Sequence, residues 1–276
     1  MRTALATAVK ELSRATDVVL ARHPGVTVLV YHRVGGGSDS AVDLPVEVFD
    51  RHLTHLAAHT IVVSLDEAVE RLESAPGDPR RDEPCVVITF DDGTADFTDH
   101  AVPALVRHGL PATLYVATSF VDEQTPFPWG APPTTWAALR DATATGLITV
   151  GSHTHSHWLL DRLDRLERHA IDDDLDRSIE LIGTHLGRAP AHFAYPKALP
   201  GSARAEIAVR RRFRTAALAA NRVNRPGRTD LHRLWRTPTQ RSDTDAHLAA
   251  KAAGGMRLEG ELRALAARVK YRGATR

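Results

Sequence analysis

Residues 85–97 read CVVITFDDGTADF, an apolar run that ends in two adjacent carboxylates, Asp91 and Asp92, and a glycine. From Cys85 to Phe90 there is no polar alternation, which is the pattern of a strand covered on both faces in a parallel sheet. The end of such a strand lies at the rim of a core. Successive side chains of a strand point to opposite faces, so Asp91 and Asp92 can enter one cleft only where the backbone turns, and Gly93 permits that turn. Two crowded carboxylates repel each other. A cation relieves the repulsion, as does a division in which one carboxylate binds metal and the other moves protons. The plainer alternative is a solvated Asp-Asp-Gly turn.

Outward from this stretch, further β-rich segments recur at Val26 to His32, Ile61 to Leu65, Ala112 to Val116, Leu147 to Val150, His192 to Tyr195, Phe213 to Leu218 and Leu234 to Thr237. Helical patterns separate most of them: Val48 to Ala58, Leu65 to Leu72, Phe97 to His108, Trp136 to Ala142, Arg162 to Leu186 and Arg204 to Arg212. Strands alternating with helices imply a parallel sheet. About seven parallel strands in one α/β domain favour a closed or nearly closed (β/α) barrel, and no Gly-x-Gly-x-x-Gly follows the first strand to suggest an open dinucleotide-binding sheet. The barrel is expected over residues 26–240, with an amphipathic helical extension at 1–25 and a C-terminal helix, interrupted at Gly254 and Gly255, with a basic tail at 241–276.

Composition excludes some partners. Lys plus Arg number 35 against 34 Asp plus Glu, so the balance gives no footprint for nucleic acid. The single cysteine, Cys85, lies in the apolar strand and reads as a core thiol, with no disulfide framework and no thiol metal site. Lys10, Glu11, Arg14 and Asp17 interrupt the N-terminus where a secretory signal needs an unbroken apolar stretch, and no run reaches a membrane span. A soluble, cytoplasmic protein is expected. The N-terminal helix is expected to pack on the barrel, with peripheral membrane contact as the alternative. Of the 15 histidines, His52, His55 and His59 on a predicted helix are expected to face solvent. The proline-rich segment 122–135, with Phe127 and Trp129, reads either as a lid or substrate-facing loop or as packing over the rim.

A second strand end carries the other half of a candidate site. LITVGSHTHSHWLL, residues 147–160, holds His153, His155 and His157. If the chain turns into a helix after Gly151, His153 and His157 share one side and His155 faces elsewhere. Active sites of parallel α/β folds gather at the carboxyl ends of strands, where both clusters fall. Asp92, His153 and His157 supply one oxygen and two nitrogens and leave positions open, as in a catalytic zinc site, although cobalt, manganese and nickel also suit such ligands.

These residues resemble the polysaccharide deacetylase family, also called carbohydrate esterase family four or the NodB-homology domain. TFDDG at 89–93 and HTHSH at 153–157 are similar to its first two motifs, and FAYP at 193–196 to the third motif of one bacterial branch. LVYHRV at 29–34, LPVEVFDRHLTHL at 44–56 and RLWRTP at 233–238 extend the resemblance over about residues 26–240. It implies a distorted (β/α) barrel and metal-dependent removal of N-acetyl groups from an N-acetylated sugar, with Asp91 as general base and Asp92, His153 and His157 as metal ligands. A backbone N–H near Lys197 would help to hold the oxyanion. The chain departs from the wider family at Ala194, where the third motif carries an arginine that orients the base, and at Lys197, where it carries a tyrosine. The late Leu-x-x-His motif that supplies the acid in many members is not evident. His32 and His155 are candidate acids, with His32 preferred and a buried, hydrogen-bonded histidine behind the site as its alternative; Thr89, Tyr195, Pro196 and Arg233 are candidate supporting residues, with packing as the alternative for Thr89, Tyr195 and Arg233. Hydrolysis of a non-sugar amide, or carbohydrate binding without catalysis, are the rival readings.

Overall fold

A computed structural model of the chain describes residues 2–17, 24–167 and 169–271. Its strands, in chain order, are β1 (Val26–Tyr31), β2 (Arg33–Val34), β3 (Asp43–Leu44), β4 (Ile61–Val62) and β5 (Cys85–Phe90), followed by β6 (Ala112–Val116), β7 (Ile148–Ser152), β8 (His192–Ala194), β9 (Thr215–Ala219) and β10 (Leu234–Pro238). Seven of them, in the order β1-β10-β9-β8-β7-β6-β5, run parallel and close into a ring, because β1 pairs with both β10 and β5. The α/β barrel expected from the alternating segments is therefore present. It is distorted at β8, which meets β7 only through Ser152 and Phe193. The segment expected as a strand at Ile61 shrinks to two residues, which pair with the start of β5 beyond the ring.

The helical periods become Val46–His59, Leu65–Glu73, Trp136–Ala144 and Ala203–Arg212. The long period over 162–186 divides into Leu160–Leu163 and Ala170–Leu186, and the C-terminal one into Asp245–Ala252 and Arg257–Lys270. Most of the basic tail lies outside the described residues. No helix among the described residues is long and apolar enough to cross a membrane.

Strand alternation sorts the apolar residues into two cores. Leu29, Tyr31, Val86, Ile88, Phe90, Leu114 and Val116 point outward and pack with Phe49, Leu53 and Leu56 of the helix Val46–His59. Val26, Val28, Cys85, Val87, Tyr115, Ala217 and Leu234 point inward and pack with Leu65, Val69 and Leu72, so the helix Leu65–Glu73 plugs the amino end of the lumen. Cys85 is a buried free thiol, as its setting in the run implies. Gly151 is an inward position with no room for a side chain, since a Cβ there would stand 2.7 Å from the Tyr115 ring and 2.8 Å from the His192 carbonyl.

One expectation about the outer layer is corrected. His52 is fully buried, and its Nδ1 lies 3.3 Å from the Tyr31 hydroxyl. It falls three residues after Phe49 and four before Leu56, on the inner stripe of its helix, whereas His59 is exposed. Burial holds its pKa down, from 6.5 to about 4.

The helix Arg2–Thr16 packs along Arg257–Lys270. Buried charges tie both to the barrel. Asp243, just beyond β10, accepts from Lys10 at 2.5 Å and Lys251 at 2.7 Å, while Lys251 also donates to the Pro238 carbonyl at 2.7 Å and lies 3.3 Å from Glu259. Lys10 and Lys251 are buried, and so are Asp243 and Glu259. Each charge is therefore compensated away from water, as burial demands.

Candidate active site

The inward alternation of β5, Cys85, Val87 and Thr89, continues to Asp91 at the carboxyl end of the lumen. Asp92 would point outward if the strand ran on. Instead its φ is 76° and that of Gly93 is 97°, so the turn begins at the aspartate itself and swings its carboxylate round to the same cleft. A left-handed conformation is costly for a residue other than glycine, although aspartate tolerates it better than most. The neighbourhood pins it: the Ala117 N–H donates to the Asp92 carbonyl at 3.0 Å and the Thr134 N–H to that of Gly93 at 2.9 Å.

His153 and His157 follow β7, but no helix carries them, contrary to the sequence expectation. Residues 153–159 form an irregular loop in which Thr154 and His157 adopt φ of 71° and 60°. The loop is templated from the helix Ala170–Leu186. Both oxygens of the nearly buried Asp174 accept from the loop, at 2.8 Å from the His155 N–H and 3.0 Å from that of Ser156. The Thr154 hydroxyl accepts from the His157 N–H at 2.9 Å. His155 turns aside to the Thr118 hydroxyl, 3.0 Å from its Nδ1.

One donor atom each from Asp92, His153 and His157 lies within 4.8 Å of the others, and all three residues are buried. Asp92 Oδ1 stands 3.2 Å from His157 Nε2 and 3.6 Å from His153 Nε2. His153 Nδ1 lies 2.8 Å from the Ala194 carbonyl. A carbonyl can only accept, so Nδ1 carries the proton and Nε2 presents a lone pair to the cluster. Burial holds the pKa of His153 down at about 4, so the ring is neutral near pH 7. Burial would raise the pKa of Asp92, but hydrogen bonding and charge from His157 outweigh it and keep the carboxylate ionised. The His153 lone pair and the Asp92 carboxylate thus face each other out of water, and among the described residues only His157 offers the carboxylate a donor. That arrangement is satisfied by a cation, and the residues fit a divalent metal.

Asp91 has a different partner. The guanidinium of Arg236, on β10, grips it with two bonds, Nη1 to Oδ1 at 2.5 Å and Nη2 to Oδ2 at 2.8 Å. Arg236 is 1% exposed, in register with Val28 midway along β1, and its side chain passes the Tyr115 ring, 5.2 Å from the centroid. Burial pushes the Asp91 carboxyl up, but the Arg236 charge holds it below the usual carboxylate range. Asp91 is therefore an ionised carboxylate fixed beside the three-residue cluster.

Sequence reasoning missed Arg236 although it quoted the strand. The residue singled out there, Arg233, is 44% exposed at its side chain and pairs with Glu206. The available signal was parity: with Leu234 inward, a charged residue at 236 also points into the lumen. His32 follows β1 directly, half-buried, near enough to influence the charge of both Asp91 and Asp92, and its Nδ1 has no hydrogen-bond partner. Thr89 donates to the Leu29 carbonyl at 2.8 Å, within the strand layer. Tyr195 is buried against Phe193, Pro196 is buried beside it, and Lys197 has φ of 55° with its ammonium over Trp129.

Comparison with known proteins bears on the family and the fold. The model of the family described as polysaccharide deacetylase matches residues 78–215, half of the chain. The Bacillus subtilis protein YxkH, named as a polysaccharide deacetylase, is 26% identical over 136 residues, 49% of this chain. The match spans only 44% of the length of that curated relative. Among solved structures, IcaB from Ammonifex degensii superposes with a TM-score of 0.70 at 25% identity, covering 84% of this chain and 98% of its own. The Streptococcus pyogenes deacetylase PplD, solved with acetate, also gives 0.70, at 18% identity, with 84% and 99% covered.

Proposed function

Because the chain belongs to the polysaccharide deacetylase family, we propose that it hydrolyses N-acetyl groups on a sugar of a polysaccharide, oligosaccharide or glycan precursor, giving acetate and a free amine. The observation that carries this reading is the buried, ionised Asp91 fixed next to the Asp92, His153 and His157 cluster. Those three residues would hold a divalent metal, with zinc the best match to two imidazoles and one carboxylate, and cobalt, manganese and nickel as alternatives. When bound, the metal supplies Lewis acidity, which polarises the acetamide carbonyl and makes water at the site a better acid.

Asp91 takes the proton from the attacking water as general base. Its grip by Arg236 fixes both oxygens and still leaves lone pairs free to accept a proton. The backbone N–H at Lys197 assists the developing oxyanion. The amine must then be protonated to leave, and His32, close to the carboxylates with an unpartnered Nδ1, is the candidate donor. Tyr195 and Pro196 shape the wall through packing.

The test is acetate release from N-acetylglucosamine oligomers by the purified protein, after chelation and again after adding zinc or cobalt, beside Asp91→Asn and His153→Ala. Metal-restored release that both variants abolish is the expected result. Hydrolysis of simple amides but not of the oligomers would indicate a non-sugar amidase. Oligomer binding without acetate would indicate a carbohydrate-binding protein.

A further inference from the structure

Trp129 stands at the mouth of the site, and nothing in the proposed chemistry uses it. At 41% exposure it is the one aromatic side chain left so open among the described residues. Its position is tightly fixed. The Phe127 N–H donates to the Ala131 carbonyl at 2.9 Å and the Gly130 N–H to that of Phe127 at 2.7 Å, closing a turn around the tryptophan. The returning arm is bound to the Asp91–Gly93 turn through Thr134 on Gly93 and through the Ala95 N–H on the Pro132 carbonyl. Phe127 is buried and stacks on Phe120 at 4.3 Å and on Trp129 at 4.9 Å. The indole then meets the ring of His157 edge to face at 5.9 Å.

An exposed indole fixed beside a metal-ligand imidazole is an apolar surface held ready for an apolar ligand face. The cation over it is unusual too. The Lys197 ammonium lies over the indole at 5.2 Å, and it forms no ion pair with any carboxylate among the described residues. A π face that draws an ammonium also draws the polarised C–H face of a pyranose, so the two compete for one surface. An acetamido carbonyl is only a few bonds from the ring that bears it, so a sugar reacting at the cluster brings its ring to the indole.

We propose that Trp129 is the stacking platform for the pyranose whose acetamido group enters the site, and that Lys197 is a cap which the sugar displaces. This rests on the deacetylase reading and deepens it, because it makes the ring, as well as the acetyl group, a recognised part of the substrate. Displacement is easy: with no carboxylate to leave behind, the ammonium only exchanges the indole for water.

The test compares kcat and KM for an N-acetylglucosamine pentamer and for 4-nitrophenyl acetate, an acetyl ester without a sugar, using the zinc-loaded protein. For Trp129→Ala the ratio of the two kcat/KM values should fall about tenfold through KM on the pentamer, with part regained in Trp129→Phe. Lys197→Met should lower KM for the pentamer about twofold to fivefold, because the cap is gone. Equal losses on both substrates in Trp129→Ala would overturn the platform, and a higher pentamer KM in Lys197→Met would overturn the cap. Calorimetric binding of the pentamer to Asp91→Asn, with and without Trp129→Ala, separates this from the reaction itself. Binding that depends on Trp129 while the parent protein releases no acetate would sink the deacetylase reading and sustain the platform. Binding indifferent to Trp129 would sink the platform whatever the activity.

Discussion

Replacing Arg236 with methionine removes the guanidinium from a carboxylate that has nowhere else to turn. Asp91 is 5% exposed and Arg236 1%, their two bonds are 2.5 and 2.8 Å long, and burial works against ionised Asp91 unless the cation is present. Breaking a buried pair by deleting one partner costs about 3–5 kcal/mol, because the surviving charge is left uncompensated. For a chain of this size that corresponds to a melting temperature lower by roughly 10 °C. The decisive comparison adds Asp91→Asn. Removing both charges leaves no stranded ion, so the double variant should be more stable than the less stable single variant and recover about 2 kcal/mol or more relative to the sum of the two. Urea unfolding followed by far-ultraviolet circular dichroism reads all four proteins, with chelator present so that bound metal does not mask the differences. A loss below about 1 kcal/mol in Arg236→Met, or strictly additive losses in the double variant, would refute the claim that this pair is a desolvated, mutually dependent unit.

Other outcomes follow from the same structure. His52 has a folded pKa of about 4 against 6.5, so between these values the unfolded chain binds the extra proton. Its share of stability is therefore full above the unfolded value and falls as pH drops toward 4, by up to about 3 kcal/mol; His52→Leu should flatten that part of a stability-against-pH curve measured in urea, and an unchanged slope would count against it. Asp243→Ala strands buried Lys10 and leaves Lys251 with Glu259 as its only acidic partner among the described residues, and should cost about 3–5 kcal/mol, more than Lys10→Met, which removes one partner and its charge together; chemical denaturation of the two variants ranks them, and the reverse order would be inconsistent with a network centred on Asp243. Asp174→Ala frees the loop that carries both histidines and should weaken zinc affinity about tenfold to a hundredfold by calorimetry; an unchanged affinity would mean that the left-handed turns at Thr154 and His157 hold the ligands unaided.

The apolar runs were legible because a strand buried on both faces has nothing else to be, and the barrel followed from their number and from the helices between them. The Asp-Asp and His-x-x-x-His clusters were legible as strand ends. How they come together was not. The turn at Asp92 and the loop after Ser152 depend on positive φ at residues other than glycine, which local sequence does not announce, and on Asp174, brought in by a helix two elements later. His52 was misplaced by residue type, although Phe49, Leu53 and Leu56 mark its face as inner. Where the third motif's arginine is missing at Ala194, Arg236 reaches Asp91 from another strand, because inward positions of every strand in a closed ring look into the same lumen. A search by motif position misses such a group, whereas one by strand parity finds it.

That pair also sets a condition on assembly. Asp91 and Arg236 are 145 positions apart in the chain, and the guanidinium arrives on the last strand of the ring, the one whose pairing with β1 completes it. Folding intermediates that lack this final seam hold Asp91 without its counter-ion. On the proposed chemistry, hydrolytic competence comes only with closure, and the rate at which acetate release appears during refolding would measure how quickly the chain seals its barrel.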